Sequence, residues 1–199
     1  MNIKILSAIL FLLPSIGKAN LITDKVYISI GAGVMDNGSP ANYQDSRYSV
    51  IRSSAQPAIT SLSFAAGGII AAQRNTWQEF GIEFGWRMPT YYMLNTTNMI
   101  NYNAKWAALI GSFAGHATSW MDYKFTAGAV MLQDNFGENF NSATLPLLRF
   151  GVGTKVGFKD SVFVNYTYIP GKSMHTADPL NNLVTYSMSN VAIVYTHYF

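Results

Sequence analysis

The sequence contains no cysteine. That excludes a disulfide framework, a thiolate metal site, a cysteine nucleophile and the lipid-bearing cysteine of a bacterial lipoprotein. Charge is also scarce: Asp, Glu, Lys and Arg make up 12% of the 199 residues, about half the usual share of a soluble domain. With 49% hydrophobic and 14% aromatic residues, the chain is not disordered, not a coiled coil and not an ordinary cytosolic enzyme. Long apolar runs are missing too. Beyond the N-terminal segment no stretch approaches the roughly 18 residues of a membrane-spanning helix.

The N-terminal segment itself reads as an address. Lys4 is the positive n-region, Ile5 to Leu13 is a short apolar run closed by Pro14, and Gly17-Lys18-Ala19 provides small residues at a cleavage site. Residues 1–19 are therefore expected to be a signal peptide, with residues 20–199 as one folded domain. Removing Lys4 and Lys18 from the 13 basic residues leaves 11 against 10 acidic ones. So balanced a chain gives no basis for nucleic-acid binding, which needs basic residues clustered on one face.

What the rest of the chain does have is alternation with a period of two, the pattern of half-buried strands. Val26, Ile28, Ile30, Ala32 and Val34 share one face, with Tyr27, Ser29, Gly31 and Gly33 on the other. Phe80, Ile82, Phe84 and Trp86 oppose Glu79, Gly81, Glu83, Gly85 and Arg87. Tyr123, Phe125, Ala127, Ala129 and Met131 oppose Asp122, Lys124, Thr126 and Gly128, and Phe150 and Val152 oppose Arg149, Gly151, Gly153 and Lys155. Weaker runs bring the total to eight segments, at about 24–35, 59–72, 77–88, 102–114, 120–132, 146–157, 162–169 and 185–199. In the fourth, Trp106, Ala108 and Ile110 form the apolar face, against Lys105, Leu109 and Phe113.

Short connections (73–76, 115–119, 158–161) alternate with long ones (36–58, 89–101, 133–145, 170–184). An even number of short alternating strands with turns on one side and long loops on the other describes an outer-membrane barrel. A soluble secreted barrel would alternate as well, with the faces exchanged. Glycines on the polar face suit a narrow lumen. Aromatics on the apolar face (Trp77, Trp86, Trp106, Trp120, Tyr123, Tyr166, Tyr168) suit the headgroup girdles. The expected fold is all-β, an eight-stranded antiparallel up-and-down transmembrane barrel with four outer loops and both ends of the domain periplasmic.

Val191-x-Ile193-x-Tyr195-x-His197-x-Phe199 resembles the C-terminal signal by which bacterial outer-membrane proteins are recognised for insertion, with Tyr195 and Phe199 at its defining positions. Ala65 to Arg87, with Gly67-Gly68 and Glu79-Phe80-Gly81-Ile82-Glu83-Phe84-Gly85, resembles the second hairpin of the OmpA-like and opacity-protein family of bacterial outer-membrane barrels. Asn165-Tyr166-Thr167-Tyr168 stands where that family commonly shows Glu-Tyr-Arg-Tyr. The resemblance implies a bacterial outer-membrane location, contact with membrane lipid and lipopolysaccharide, delivery to the barrel-assembly machinery through the last strand, and a monomer.

Eight charged residues are expected to point into the lumen: Glu79, Glu83, Arg87, Lys105, Asp122, Lys124, Arg149 and Lys155. In so narrow a space they must pair or hold water. They constitute either a polar core or a narrow ion path. Catalysis finds little support. Lipid A deacylases carry His-x-Ser on the penultimate strand, where this chain has Tyr166-Thr167-Tyr168-Ile169-Pro170, without base or nucleophile. His116, His175 and His197 are scattered with no carboxylate at a telling spacing, so neither a metal nor a cofactor is expected. Function then falls to the long loops. Tyr43, Arg47, Tyr48 and Arg52 in the first, Tyr91 and Tyr92 in the second, and Phe136 and Phe140 in the third suit a recognition surface. A surface structural or interaction protein, an adhesin or opacity-type antigen meeting a host or envelope ligand, is the leading expectation. A small-conductance porin-like channel is the alternative, and a lipid A-modifying enzyme the least supported.

Overall fold

A computed structural model describes residues 25–36, 50–52, 59–94, 98–136, 139–175 and 183–199. The expected signal peptide lies outside them, as do Tyr43, Arg47 and Tyr48 of the first long loop. The described residues hold nine strands: β1 (Val26–Asp36), β2 (Val50–Arg52), β3 (Ser61–Ala72), β4 (Thr76–Leu94), β5 (Asn98–His116), β6 (Asp122–Phe136), β7 (Asn139–Lys155), β8 (Asp160–His175) and β9 (Leu183–Tyr198). All pairings are antiparallel. Each strand from β3 to β9 pairs with the next, and β1 closes the ring between β3 and β9. The result is a closed eight-stranded barrel, with β2 a three-residue addition to the outer end of β4.

The apolar faces point outward. Val26, Ile30, Phe80, Phe84, Leu109, Phe125, Leu148, Phe150, Val191 and Ile193 are exposed while the small and polar residues between them are buried. Water would not tolerate a continuous apolar belt of this extent, whereas lipid requires one. Closure satisfies the backbone N–H and C=O groups across the belt without a free sheet edge.

The strands outrun the expected segments. β4 and β5 each have 19 residues, which reach about 45–50 Å along the axis at a tilt of about 40°, against an apolar band of about 25 Å. Tyr91 and Tyr92 therefore lie on β4, Phe136 on β6 and Phe140 on β7, on strand arms continuing past the membrane and not on irregular loops. Arg52 falls in β2.

Prolines mark two of the three register shifts of the sheet, because each lacks the N–H that the ladder needs, and the third lies between Ile69 and Ala71 in the β3–β4 pairing. The β4–β5 register shifts between Arg87 and Thr90, around Pro89, and the β8–β9 register shifts between Ile169 and Lys172, around Pro170. Pairing of β7 with β8 runs from Lys155↔Ser161 to Leu148↔Tyr168 and stops there. Two residues further on, the same register would set Pro146 opposite Pro170. Two facing prolines cannot extend the ladder, so the seam between the β6–β7 and β8–β9 hairpins opens above this point. Seam-facing amides of Asn139–Leu147 and Ile169–His175 should exchange with deuterium at least about tenfold faster than those of the Leu148–Lys155 ladder. Equal protection on mass-spectrometric or NMR exchange would mean that the seam is closed.

Candidate functional site

The lumen is built in two layers. Toward the short turns it is polar and charged. Lys124 Nζ donates to both oxygens of Glu79, at 2.9 and 3.3 Å, and Glu79 Oε1 also accepts from Trp77 Nε1 at 2.7 Å and the Tyr198 hydroxyl at 2.8 Å. Arg149 grips Glu83 with both terminal nitrogens, at 2.7 and 2.8 Å, while its Nε donates to Thr167 Oγ1 at 2.7 Å. Trp106 Nε1 donates to Glu83 Oε1 at 3.1 Å. Hydroxyl pairs Ser29–Thr196 and Ser112–Thr126, at 2.8 and 2.9 Å, fill the wall between them.

Glycine provides the sockets for this packing. A Cβ on Gly85 would collide with the Trp106 indole, its cross-strand partner, and one on Gly81 would collide with the Tyr27 hydroxyl. Above the charged layer the interior is largely apolar: Met35, Ala104, Val130, Leu132, Leu147, Ile169 and Met188 are all buried in one cluster with Trp106, and Arg87, Ser61 and Asn190 are polar residues buried at the same level. The space left between the paired charges is a cavity of about 30 Å3, enough for one or two waters. One of its walls is Asn165, whose Oδ1 has no protein partner.

Five of the eight charged residues expected in the lumen are buried there, Glu79, Glu83, Arg87, Asp122 and Lys124, and Arg149 points inward half-buried, bonded to Glu83. Lys105 and Lys155 are corrections. Lys105 is exposed on the outer face of β5, because Trp106, Ala108 and Ile110 point inward and the two faces of that strand are the reverse of those expected. An inward Trp is stable because its indole N–H reaches Glu83 and Gly85 leaves room for the ring. Lys155 is exposed at the end of β7, with its Nζ 3.4 Å from His116 Nε2. Trp77 also departs from the expected outer girdle: it turns toward Glu79 at the mouth of the lumen.

The histidines differ from expectation more usefully. His116 Nδ1 lies 2.6 Å from the buried Asp122 Oδ1, and His197 Nδ1 lies 2.7 Å from Asp160 Oδ1. His116 and Asp122 are cross-strand partners flanking a five-residue turn, and His197 and Asp160 are partners across the β8–β9 ladder. Strand register, not linear spacing, brings each pair together. Asp160 also accepts from the Tyr195 hydroxyl at 2.5 Å. The hydrogen bond from Tyr195, and then that from His197, hold the Asp160 carboxyl below its ordinary value. Tyr195 thereby ties the last strand to the start of β8, and Phe199 packs edge-on against His197 with ring centres 4.7 Å apart.

No family model matches the chain, and no curated protein does. Solved structures do. Neisserial surface protein A is similar over 88% of this chain and 96% of its own, at 10% identity and a TM-score of 0.53. The attachment invasion locus protein of Yersinia pestis covers 88% of this chain and 98% of its own, at 11% identity and a TM-score of 0.47. The fold is that of the small eight-stranded outer-membrane barrels. With its apolar belt, it makes the chain an integral outer-membrane protein of bacteria. The resemblance to the OmpA-like and opacity-type barrels, seen in single motifs, holds at the level of architecture.

Two predictions come from this geometry. Arg149→Met leaves Glu83 charged and nearly buried, and should cost about 3–5 kcal/mol in urea unfolding from micelles, with Glu83→Gln/Arg149→Met recovering part of the loss. A midpoint unchanged in the single variant would rule out the pair as a structural element. Because the folded carboxyl of Asp160 is depressed, its stabilising contribution is complete above the ordinary Asp range and is lost as pH falls through the depressed value. A carbon-13 titration should therefore place the Asp160 midpoint below that of an unstructured Asp, and Tyr195→Phe should move it back up.

Proposed function

We propose that this protein is a closed surface scaffold, an interaction or attachment protein that meets a host or envelope component through its extracellular arms and loops. The filled lumen carries this reading. Among the described residues, the paired charges leave a cavity of about 30 Å3 between them, with a largely apolar layer stacked above, so a path for solutes would require several buried groups to move at once. What remains accessible from outside is the set of strand arms that outrun the membrane and the segments joining them. Their sequences hold Tyr, Asn, Ser and Arg in the mixture that suits a recognition surface. Neisserial surface protein A, a surface protein by name, offers a parallel, though the likeness to it is one of fold.

The test replaces segments of the outer face and leaves the barrel alone. Exchanging residues 37–49 and 176–182 for Gly-Ser linkers should preserve the heat-dependent shift in gel mobility that marks a folded barrel. Binding of intact cells to host surfaces or to isolated envelope components should drop to the level of cells lacking the protein. In planar bilayers the unaltered protein should stay silent. Stepwise openings abolished by Arg149→Glu would instead assign it a pore, and unchanged binding by the exchanged variant would move recognition off the loops.

A further inference from the structure

The end of the barrel with the short turns holds a recess of about 200 Å3, far above the roughly 10–15 Å3 that admits a single water. Four cations line it: Lys25 ahead of β1, Arg74 in the β3–β4 turn, Lys155 at the end of β7 and Lys159 in the β7–β8 turn. One carboxylate, Asp160, belongs to the lining, and its Oδ1 is already engaged by Tyr195 and His197. Among the described residues, no carboxylate is in ion-pair contact with any of the four cations. Among the described residues, four like charges from three separate segments therefore converge on one concave surface against the single carboxylate of Asp160, and such a cleft concentrates anions.

One of the cations is held in place from below. The buried carboxylate of Asp122 accepts from His116 Nδ1–H at 2.6 Å, which leaves Nε2 as an acceptor for Lys155 Nζ at 3.4 Å. That contact uses one of the three donors of the ammonium group, and the other two remain for a ligand. The His116 ring also packs against Trp77, with centres 5.2 Å apart, so the imidazole is fixed on two sides. This relay from a buried acid to a surface lysine is a built arrangement, distinct from a scatter of solvated lysines.

We propose that the recess binds a phosphate group presented from the periplasmic side, as a soluble phosphate ester or as a phospholipid headgroup of the inner leaflet. Several ammonium groups and a guanidinium around one recess suit a group with three or four acceptor oxygens and up to two charges. The proposal is independent of what the outer loops recognise.

The experiment uses the refolded barrel in maltoside micelles, which contain no phosphate, and follows the Trp77 indole and the backbone amides of Arg74, Asn75 and Lys155 by NMR. Inorganic phosphate and glycerol phosphate should shift these signals saturably, and sodium chloride at equal ionic strength should not. Shifts seen with the soluble esters assign a soluble ligand, and shifts that appear only when phosphatidylglycerol is mixed into the micelles assign the headgroup. Arg74→Gln and Lys155→Gln should each weaken binding by at least about tenfold, the equivalent of one charge-assisted hydrogen bond, while keeping the heat-dependent gel shift of the folded barrel. Asp122→Asn should weaken binding without removing a cation. Shifts reproduced by chloride, or persisting when Lys25, Arg74, Lys155 and Lys159 are all replaced by Gln, would overturn the proposal.

Discussion

Every feature of this protein follows from the need to satisfy backbone hydrogen bonds inside hydrocarbon. A strand there has no water to bond to, so the sheet closes on itself, and β1 completes the ring between β3 and β9. Closure at eight strands fixes a lumen only wide enough for side chains. That narrowness then dictates the chemistry of the interior. A carboxylate such as Glu83 cannot stand alone in it, and it receives Arg149 in a bidentate grip, with Trp106 as a third donor. Glycines opposite the largest inward rings follow from the same lack of space.

The division of the lumen into a charged layer and an apolar layer gives the barrel a filled interior and two chemically different ends. On the outer side, Leu132, Leu147, Ile169 and Met188 pack with almost no exposure, and the facing prolines of β7 and β8 part the wall just beside Leu147 and Ile169. On the periplasmic side, the charged layer continues into the mouth through Glu79, Trp77 and the Asp122–His116–Lys155 relay. The last strand is fastened here as well, by Tyr195 and His197 on Asp160. Only at the two ends are side chains freed from barrel packing.

Much of this was legible in the residues. Alternation in β1, β4, β6 and β7 is strong, and the side that carried glycine and charge is the side that faces inward. In the fourth segment the faces are the reverse of those expected, since a lysine ordinarily marks the lumen and a tryptophan the lipid. Trp106 points inward because a glycine and a glutamate on the neighbouring strand receive it, and neither is visible from its own strand. Strand ends are not legible in the sequence, because the arms beyond the membrane lose the alternation that lipid imposes. The histidine–carboxylate pairs do not show in spacing along the chain, and a hairpin around 117–121 is what makes His116 and Asp122 cross-strand partners.

By itself, then, the sequence determined the architecture: the number of membrane-spanning strands, the face each of the strongly patterned ones gives to lipid, and the location that such a belt demands. A period of two is a local property, and local properties survive in a one-dimensional record. Tertiary structure alone decided which charges meet, how the lumen divides into layers, where the seam parts and what gathers at the periplasmic mouth. These depend on register between strands distant in sequence, and Glu79 and Tyr198, 119 residues apart, meet only because the barrel closes.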